Sequence, residues 1–391
     1  MPKYSFVIPC KNGLPYVTSC INSILDQGFD DCEIVVSDNH SIDGTAAILE
    51  EAFGHNALVR VISPAKPLSM SGNFDFAISA SQGDWISTLG VDDGVLPYFF
   101  EEMEYLTELL PDAEAFASKR AYFYWEGCEE VYGNRAILFE RNTSLKRGNS
   151  KKDSIRVLRG KMIYNETLQL YTGSVVHKSL IEKVRRRDPE EKLFRGSQPD
   201  IYSSWALLAC EPKYFLVGAP LHWVGSSPAS NGFNHATKVK NDKARDFWAA
   251  SAGQDDLVAE ILDFGSETPA HLLLMDAALL VNGNSPRCNS SVIFDHGFVG
   301  AFVNEPYNNW NNVRRSLRRA GRSESWFLAK GLAGRTIKML KRGVRIVGRA
   351  WQGRMRKSEI IILRRRESGE MTNIENANAL VIETLSGSRF L

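Results

Sequence analysis

Short apolar runs and segments of helical spacing alternate along about the first ninety residues. Residues 4–8 (Y-S-F-V-I) form a run that stops at Pro9, as a buried parallel strand does. Val17, Ile21, Ile24 and Leu25 fall on one helical face before Gly28. A second strand is predicted over 33–36, a helix from Thr45, a third strand over 58–62, a helix over 72–80 and a fourth strand over 85–89. Strand and helix alternating at this pace predict a parallel, doubly wound α/β sheet.

Further along the pattern loosens. A helix is predicted over 96–110, strands over 115–125 and 130–139, and a polar loop over 142–152. Helices are expected over 239–263 and 269–281. From Ile337 the apolar residues Leu340, Val344, Val347, Trp351 and Met355 recur every three or four positions, opposite Lys338, Lys341, Arg342, Arg345 and Arg349. That is a basic amphipathic helix, suited to an anionic membrane surface through 337–356 or to packing on the body. Three segments are expected: a catalytic domain at 1–225, a helical extension at 226–309 and a basic amphipathic tail at 310–391.

Composition narrows the class. The chain has 391 residues, 43% of them hydrophobic and 24% charged, with a formal net charge of +1. Near-neutrality argues against nucleic acid as a partner, and no nucleic-acid-binding motif accompanies the basic tail. The cysteines Cys10, Cys20, Cys32, Cys128, Cys210 and Cys288 form no C-x-x-C pair, which predicts free thiols in a reducing compartment. The strand-like start predicts no signal peptide, and no apolar run approaches the roughly 18 residues of a membrane span. The expectation is a cytoplasmic protein, peripheral on the inner face of the membrane if the basic helix docks there.

Open α/β sheets bind ligands at the carboxyl ends of their strands. Three such ends are polar here: Pro9 to Asn12, the loop with Asp38, Asn39 and Asp43, and Gly90-Val-Asp-Asp. No G-x-G-x-x-G or Walker loop is present, which disfavours dinucleotide and P-loop enzymes. Carboxylates cannot hold a diphosphate directly, but they can through a divalent cation. Each acid also has a plain structural role, Asp38 as an Asx turn and the 92–93 pair as a helix cap.

The ordered set S-F-V-I-P-C-K-N (5–12), I-V-V-S-D-N-H-S-I-D-G-T (34–45) and G-D-W-I-S-T-L-G-V-D-D (83–93) resembles the family 2 glycosyltransferases of GT-A fold. The likeness covers about the first hundred residues and fades toward residue 225. It implies a Rossmann-like, mostly parallel central sheet flanked by helices, with a helical C-terminal extension. It implies a nucleotide-sugar donor, with UDP the family's commonest nucleotide, and Mg²⁺ or Mn²⁺ as cofactor. Pro9, Asn12, Asp38, Asn39, Asp43, Asp92 and Asp93 would line the nucleotide-sugar site, with Asp92 on the metal. The family's D-x-D appears here as Gly90-Val-Asp92, without its first acid. The inverting reaction needs a base, and the resemblance assigns it to Asp200, which otherwise sits as a first-turn acid after Pro199. His222 is expected to border the acceptor, a glycan or lipid-linked molecule of the kind used in surface polysaccharide assembly. A catalytically silent relative acting as a membrane-associated scaffold, or a nucleotidyltransferase, stands as the alternative.

Overall fold

The structure, a computed structural model, describes residues 1–132, 135–139, 141–195, 199–230, 270–283, 290–305, 307–351, 360–364 and 372–387. The first four strands are β1 (Tyr4–Cys10), β2 (Cys32–Asp38), β3 (Val59–Ile62) and β4 (Trp85–Thr88), all parallel, in spatial order 3-2-1-4. Helices α1 (Val17–Leu25), α2 (Thr45–Phe53) and α3 (Met70–Ser79) make the crossovers. Strand β1 is central and buried on both faces, which is why its sequence is almost continuously apolar. The chain winds outward from β1 to β3 and then returns to place β4 on the other side. That reversal puts a crevice at the carboxyl ends of β1 and β4.

The second half of the sheet is mixed. After β5 (Gly94–Val95) and α4 (Phe99–Leu109) comes the long β6 (Ala115–Tyr124), joined through β9 (Ser174–His177) to β4 by antiparallel pairing. The stretch predicted as one strand over 130–139 is a short helix α5 (Glu129–Tyr132) followed by β7 (Arg135–Phe139). The predicted loop at 142–152 contains β8 (Leu145–Arg147) and the start of α6 (Ser150–Leu158). Asn149 caps α6 by accepting from the Lys152 amide at 2.9 Å, a signal hidden in a basic, loop-like composition. Helices α7 (Lys178–Arg187) and α8 (Pro199–Ala209) then lead to β10 (Tyr214–Ser226), which runs parallel to β6.

The C-terminal part departs most from expectation. Helices α9 (Ala270–Gly283), α10 (Ser290–Asn304), α11 (Trp310–Arg319) and α12 (Glu324–Trp351) continue the core that begins at α6 and α8. Phe298, Phe302, Trp310, Val313, Leu317 and Phe327 are buried with Leu158 and Trp205 in that one cluster. Strand β11 (Ile360–Arg364) extends the sheet beside β7, and α13 (Ile374–Gly387) lies against α1. Ile374, Ala377 and Val381 are fully buried against Leu96, Tyr98 and Trp223. Burying Ile374 and Val381 contributes about 1.5–3 kcal/mol each, so the segment belongs to the core. The Asn378 amide bonds at both ends, accepting from Trp223 Nε1 at 2.8 Å and donating to the Val95 carbonyl at 3.1 Å. Within the basic tail expected over 310–391, α11 and the start of α12 bury residues in the core, β11 pairs with β7, and α13 packs on Leu96, Tyr98 and Trp223. The helix expected over 239–263 and residues 352–356 of the amphipathic stretch lie outside the described residues.

Candidate active site

The loops after β1 and β2 hold each other through side chains. Asn12 adopts φ 55°, a left-handed conformation that asparagine tolerates well. Its amide donates to Ser41 Oγ at 2.7 Å and its Oδ1 accepts from the Ile42 amide at 2.9 Å. Asp38, buried at the end of β2, accepts from the Ser41 amide at 3.2 Å through Oδ1. Asn39 pairs with the backbone of Leu68 by both ends of its amide, 2.9 Å each, and so ties in the segment before α3. Asp43 is exposed yet committed, accepting from the Leu14 and Thr45 amides and from Thr45 Oγ1. Its partial burial opposes ionisation, but these donors prevail and hold the carboxyl below the usual range. Pro9 sits inside β1, opposite Ser37. Beside it Cys10 is a packed thiol, pushed up to about 12 by burial and then by Asp38 and Asp43, so it is no nucleophile at neutral pH.

The loop after β4 carries the acid pair. Asp93 is buried, and both its oxygens are occupied: Oδ2 accepts from the Gly90 amide at 2.8 Å and from the Thr172 hydroxyl, Oδ1 from the Gly225 amide at 2.8 Å. Asp92 accepts from Ser227 Oγ at 2.7 Å through Oδ2, and its carbonyl takes the Trp125 indole at 2.8 Å. Burial, and then repulsion from Asp93, pushes the Asp92 carboxyl up to about 7. Asp93 is raised too, by burial, against the pull of its donors and Arg120. A Cβ on Gly225 would lie 1.7 Å from the Asp92 carbonyl, so only glycine lets β10 approach this closely.

Gly90 explains the incomplete D-x-D. A Cβ there would come 2.6 Å from the Tyr171 hydroxyl and 2.9 Å from Asp93 Oδ2. The place where a first acid's side chain would begin is occupied by Tyr171. Residues 164–174 form the bridge across the site. Tyr164 donates to Asp200 Oδ2 at 2.6 Å, the Leu170 amide donates to Ser203 Oγ at 3.0 Å, and Thr172 donates to Asp93. Between them the Tyr171 hydroxyl is raised well above its usual range by burial and then by Asp93, Asp92 and Asp200. The acid pair and Asp200, more than a hundred residues apart in sequence, thus share one electrostatic neighbourhood. Asp200 itself stands half-buried in the first turn of α8.

His222 corrects one expectation. It is fully buried, with Nε2 2.9 Å from Ser87 Oγ and its ring edge-on to Phe99 at 5.4 Å, so it cannot touch an acceptor. Burial, and then Arg120, holds it down to about 3, hence neutral. Arg120 was missed by sequence reasoning. Its Nε and Nη2 are buried and have no hydrogen-bond partner among the described residues. The signal was the Lys119-Arg120 pair within the mainly apolar run of β6.

A mostly parallel sheet with a carboxylate-lined crevice at its reversal point defines the GT-A class. Residues 5–160 match the model of the family described as Glycosyl transferase family 2. The crystal structure of S. aureus TarS 1-349 in complex with UDP-GlcNAc superposes with a TM-score of 0.52 at 12% identity, covering 87% of this chain and 92% of that one, a likeness of fold. The chondroitin synthase of Pasteurella multocida is 31% identical over 98 residues, 25% of this chain and 10% of that protein. The GalNAc(5)-diNAcBac-PP-undecaprenol beta-1,3-glucosyltransferase of Campylobacter jejuni is 26% identical over 219 residues, 55% of this chain and 62% of that protein. The chain thus spans less than two thirds of the length of either curated relative.

Proposed function

We propose that the chain is an inverting glycosyltransferase that moves a sugar from a UDP-linked donor to a glycan or lipid-linked acceptor. The observation that carries this reading is the convergence of Asp92, Asp93 and Asp200 around the 164–174 bridge. Asp38 and the interlocked loops after β1 and β2 border the nucleoside. Asp200, held by the Tyr164 hydroxyl, takes the proton of the acceptor hydroxyl as that oxygen attacks the anomeric carbon from the face opposite the leaving group. The bond to the nucleoside diphosphate breaks as the new one forms, with inversion at that carbon. The acceptor class is supported by the Campylobacter relative, whose name specifies an undecaprenol-linked substrate.

The residues fit a divalent cation only in company with the donor. Asp92 commits one oxygen to Ser227, Asp93 commits both, and no group of three His, Cys, Asp or Glu among the described residues could hold a metal. Mg²⁺ commonly takes one or two carboxylates plus substrate phosphates, and Asp92 would supply that carboxylate. When bound, the ion would neutralise charge on the leaving diphosphate. Thermal-shift measurement with UDP and UDP-sugars, with and without Mg²⁺ or Mn²⁺, is expected to show stabilisation by the diphosphates that grows with metal. No stabilisation by any nucleoside diphosphate would leave the silent-scaffold reading in its place.

We further propose that α12 meets an anionic membrane surface. Among the described residues no helix is long and apolar enough to cross a membrane. Ile337, first residue of the predicted apolar stripe, is 53% exposed, and Trp326 on the same face is 50% exposed. Lys338 instead turns to the body and donates to Asn304 Oδ1 at 2.7 Å. The stripe therefore starts on the outer side of the helix. Trp326→Glu with Ile337→Glu is expected to weaken sedimentation with vesicles containing anionic lipid by at least about tenfold, since the helix would lose apolar contact and gain repulsion. Unchanged sedimentation would refute the surface assignment.

A further inference from the structure

We propose that Arg120 is the protein's own anchor for the donor diphosphate, a fixed cation that takes up the charge of the leaving group alongside any metal. The inference rests on the nucleotide-sugar reading above. Arg120 lies on β6 opposite His222, and its Nε stands 2.5 Å from where a Cβ on Gly173 would be. The guanidinium therefore packs against the 172–174 end of the bridge, next to Thr172 and its bond to Asp93. Arg120 is partly buried, but two of its guanidinium nitrogens are fully enclosed and unmatched, which is costly unless something completes them.

The neighbouring carboxylates do not complete it. Asp93 already accepts from Gly90, Thr172 and Gly225, and Asp200 from Tyr164. An incoming anion would complete it, and the diphosphate is the anion this reaction brings to the crevice. As the bond from the anomeric carbon to the diphosphate oxygen breaks, its electron pair passes to that oxygen, and charge accumulates there. The planar fork of arginine can meet two phosphate oxygens at once, which a point charge cannot do. The same fixed cation suits a site in which Tyr171 occupies the place of the first D-x-D acid, because fewer carboxylates remain to hold a metal.

The test is binding of UDP and of uridine to the full chain by titration calorimetry, in the presence of a chelator. Arg120→Gln is expected to weaken UDP by about 10- to 100-fold, the loss of charge-assisted hydrogen bonds, while uridine affinity stays unchanged. If the glutamine variant does not fold, Arg120→Met, of similar length, carries the same comparison. An unchanged ratio of UDP to uridine affinity, with uridine still bound, would overturn the role of Arg120 alone. Failure of the unaltered protein to bind either ligand, both in chelator and with Mg²⁺ or Mn²⁺, would overturn the nucleotide-sugar reading and this inference with it. A double-mutant cycle with Asp92→Asn separates direct contact from simple neutralisation of the acid pair. Direct contact predicts that the loss persists in the asparagine background. Its disappearance there would show that Arg120 acts only through Asp92, contrary to the proposal.

Discussion

Asp200→Asn is expected to slow glycosyl transfer by about 10²- to 10⁴-fold, the usual range for removing a positioned general base. Donor affinity should stay within about threefold, because the proposed role sets Asp200 on the acceptor hydroxyl and not on the diphosphate. The Tyr164 hydroxyl at 2.6 Å fixes one oxygen of this carboxylate, and the asparagine side chain has the same shape. A first-turn acid that only complements the helix dipole contributes roughly 0.3–1 kcal/mol of stability and nothing to turnover. The two roles therefore separate cleanly when single-turnover rate and thermal midpoint are measured together. Near-normal turnover with a lowered midpoint would make Asp200 a helix residue and would send the search for the base elsewhere.

Asp92→Asn is expected to abolish metal-stimulated turnover and also to change the response of the protein to pH. In the folded state the Asp92 carboxyl is pushed up from 3.8 to about 7. The folded protein therefore keeps a proton that the unfolded chain releases, and stability falls as pH rises from about 4 through 7. Without metal, the thermal midpoint should decline across that window, and the asparagine variant should lose much of the decline. With metal the sign reverses for binding: the cation displaces the proton, so its affinity should weaken below about pH 7. Thermal melting from about pH 5 to 8, with chelator and with Mg²⁺, measures both. Metal stimulation that survives the substitution would remove Asp92 from the cation site.

The outline of the N-terminal half was legible because β1, β2 and β4 are apolar runs that end in polar loops. Asp38, Asn39, Asp92 and Asp93 could be placed at the crevice from those ends alone. What the residues do there was less legible, since Asn39 and Asp43 spend their polar atoms on neighbouring backbone. His222 was misread because a proline two residues before it is unusual inside a strand. Register irregularities between Val217 and His222 instead carry β10 past the proline and bury the histidine. Arg120 and Tyr171 were invisible to motif reading because their importance lies in what surrounds them. Helix α13 was missed because its partners, Leu96, Tyr98 and Trp223, are far away in sequence and its composition is that of an ordinary amphipathic helix.

The bond between Asn378 and Val95 has a further consequence during synthesis. It joins residues 283 positions apart, so the apolar face that α13 covers stays open until residues 374–387 have been made. At about 5–20 residues per second that wait lasts roughly a quarter of a minute to a minute. Once β10 has been made, the nascent chain would carry it and the start of α4 with one side unclosed, a ready client for ribosome-associated chaperones. An internal stop codon before residue 372 would thus yield a sticky, half-finished enzyme rather than a trimmed one.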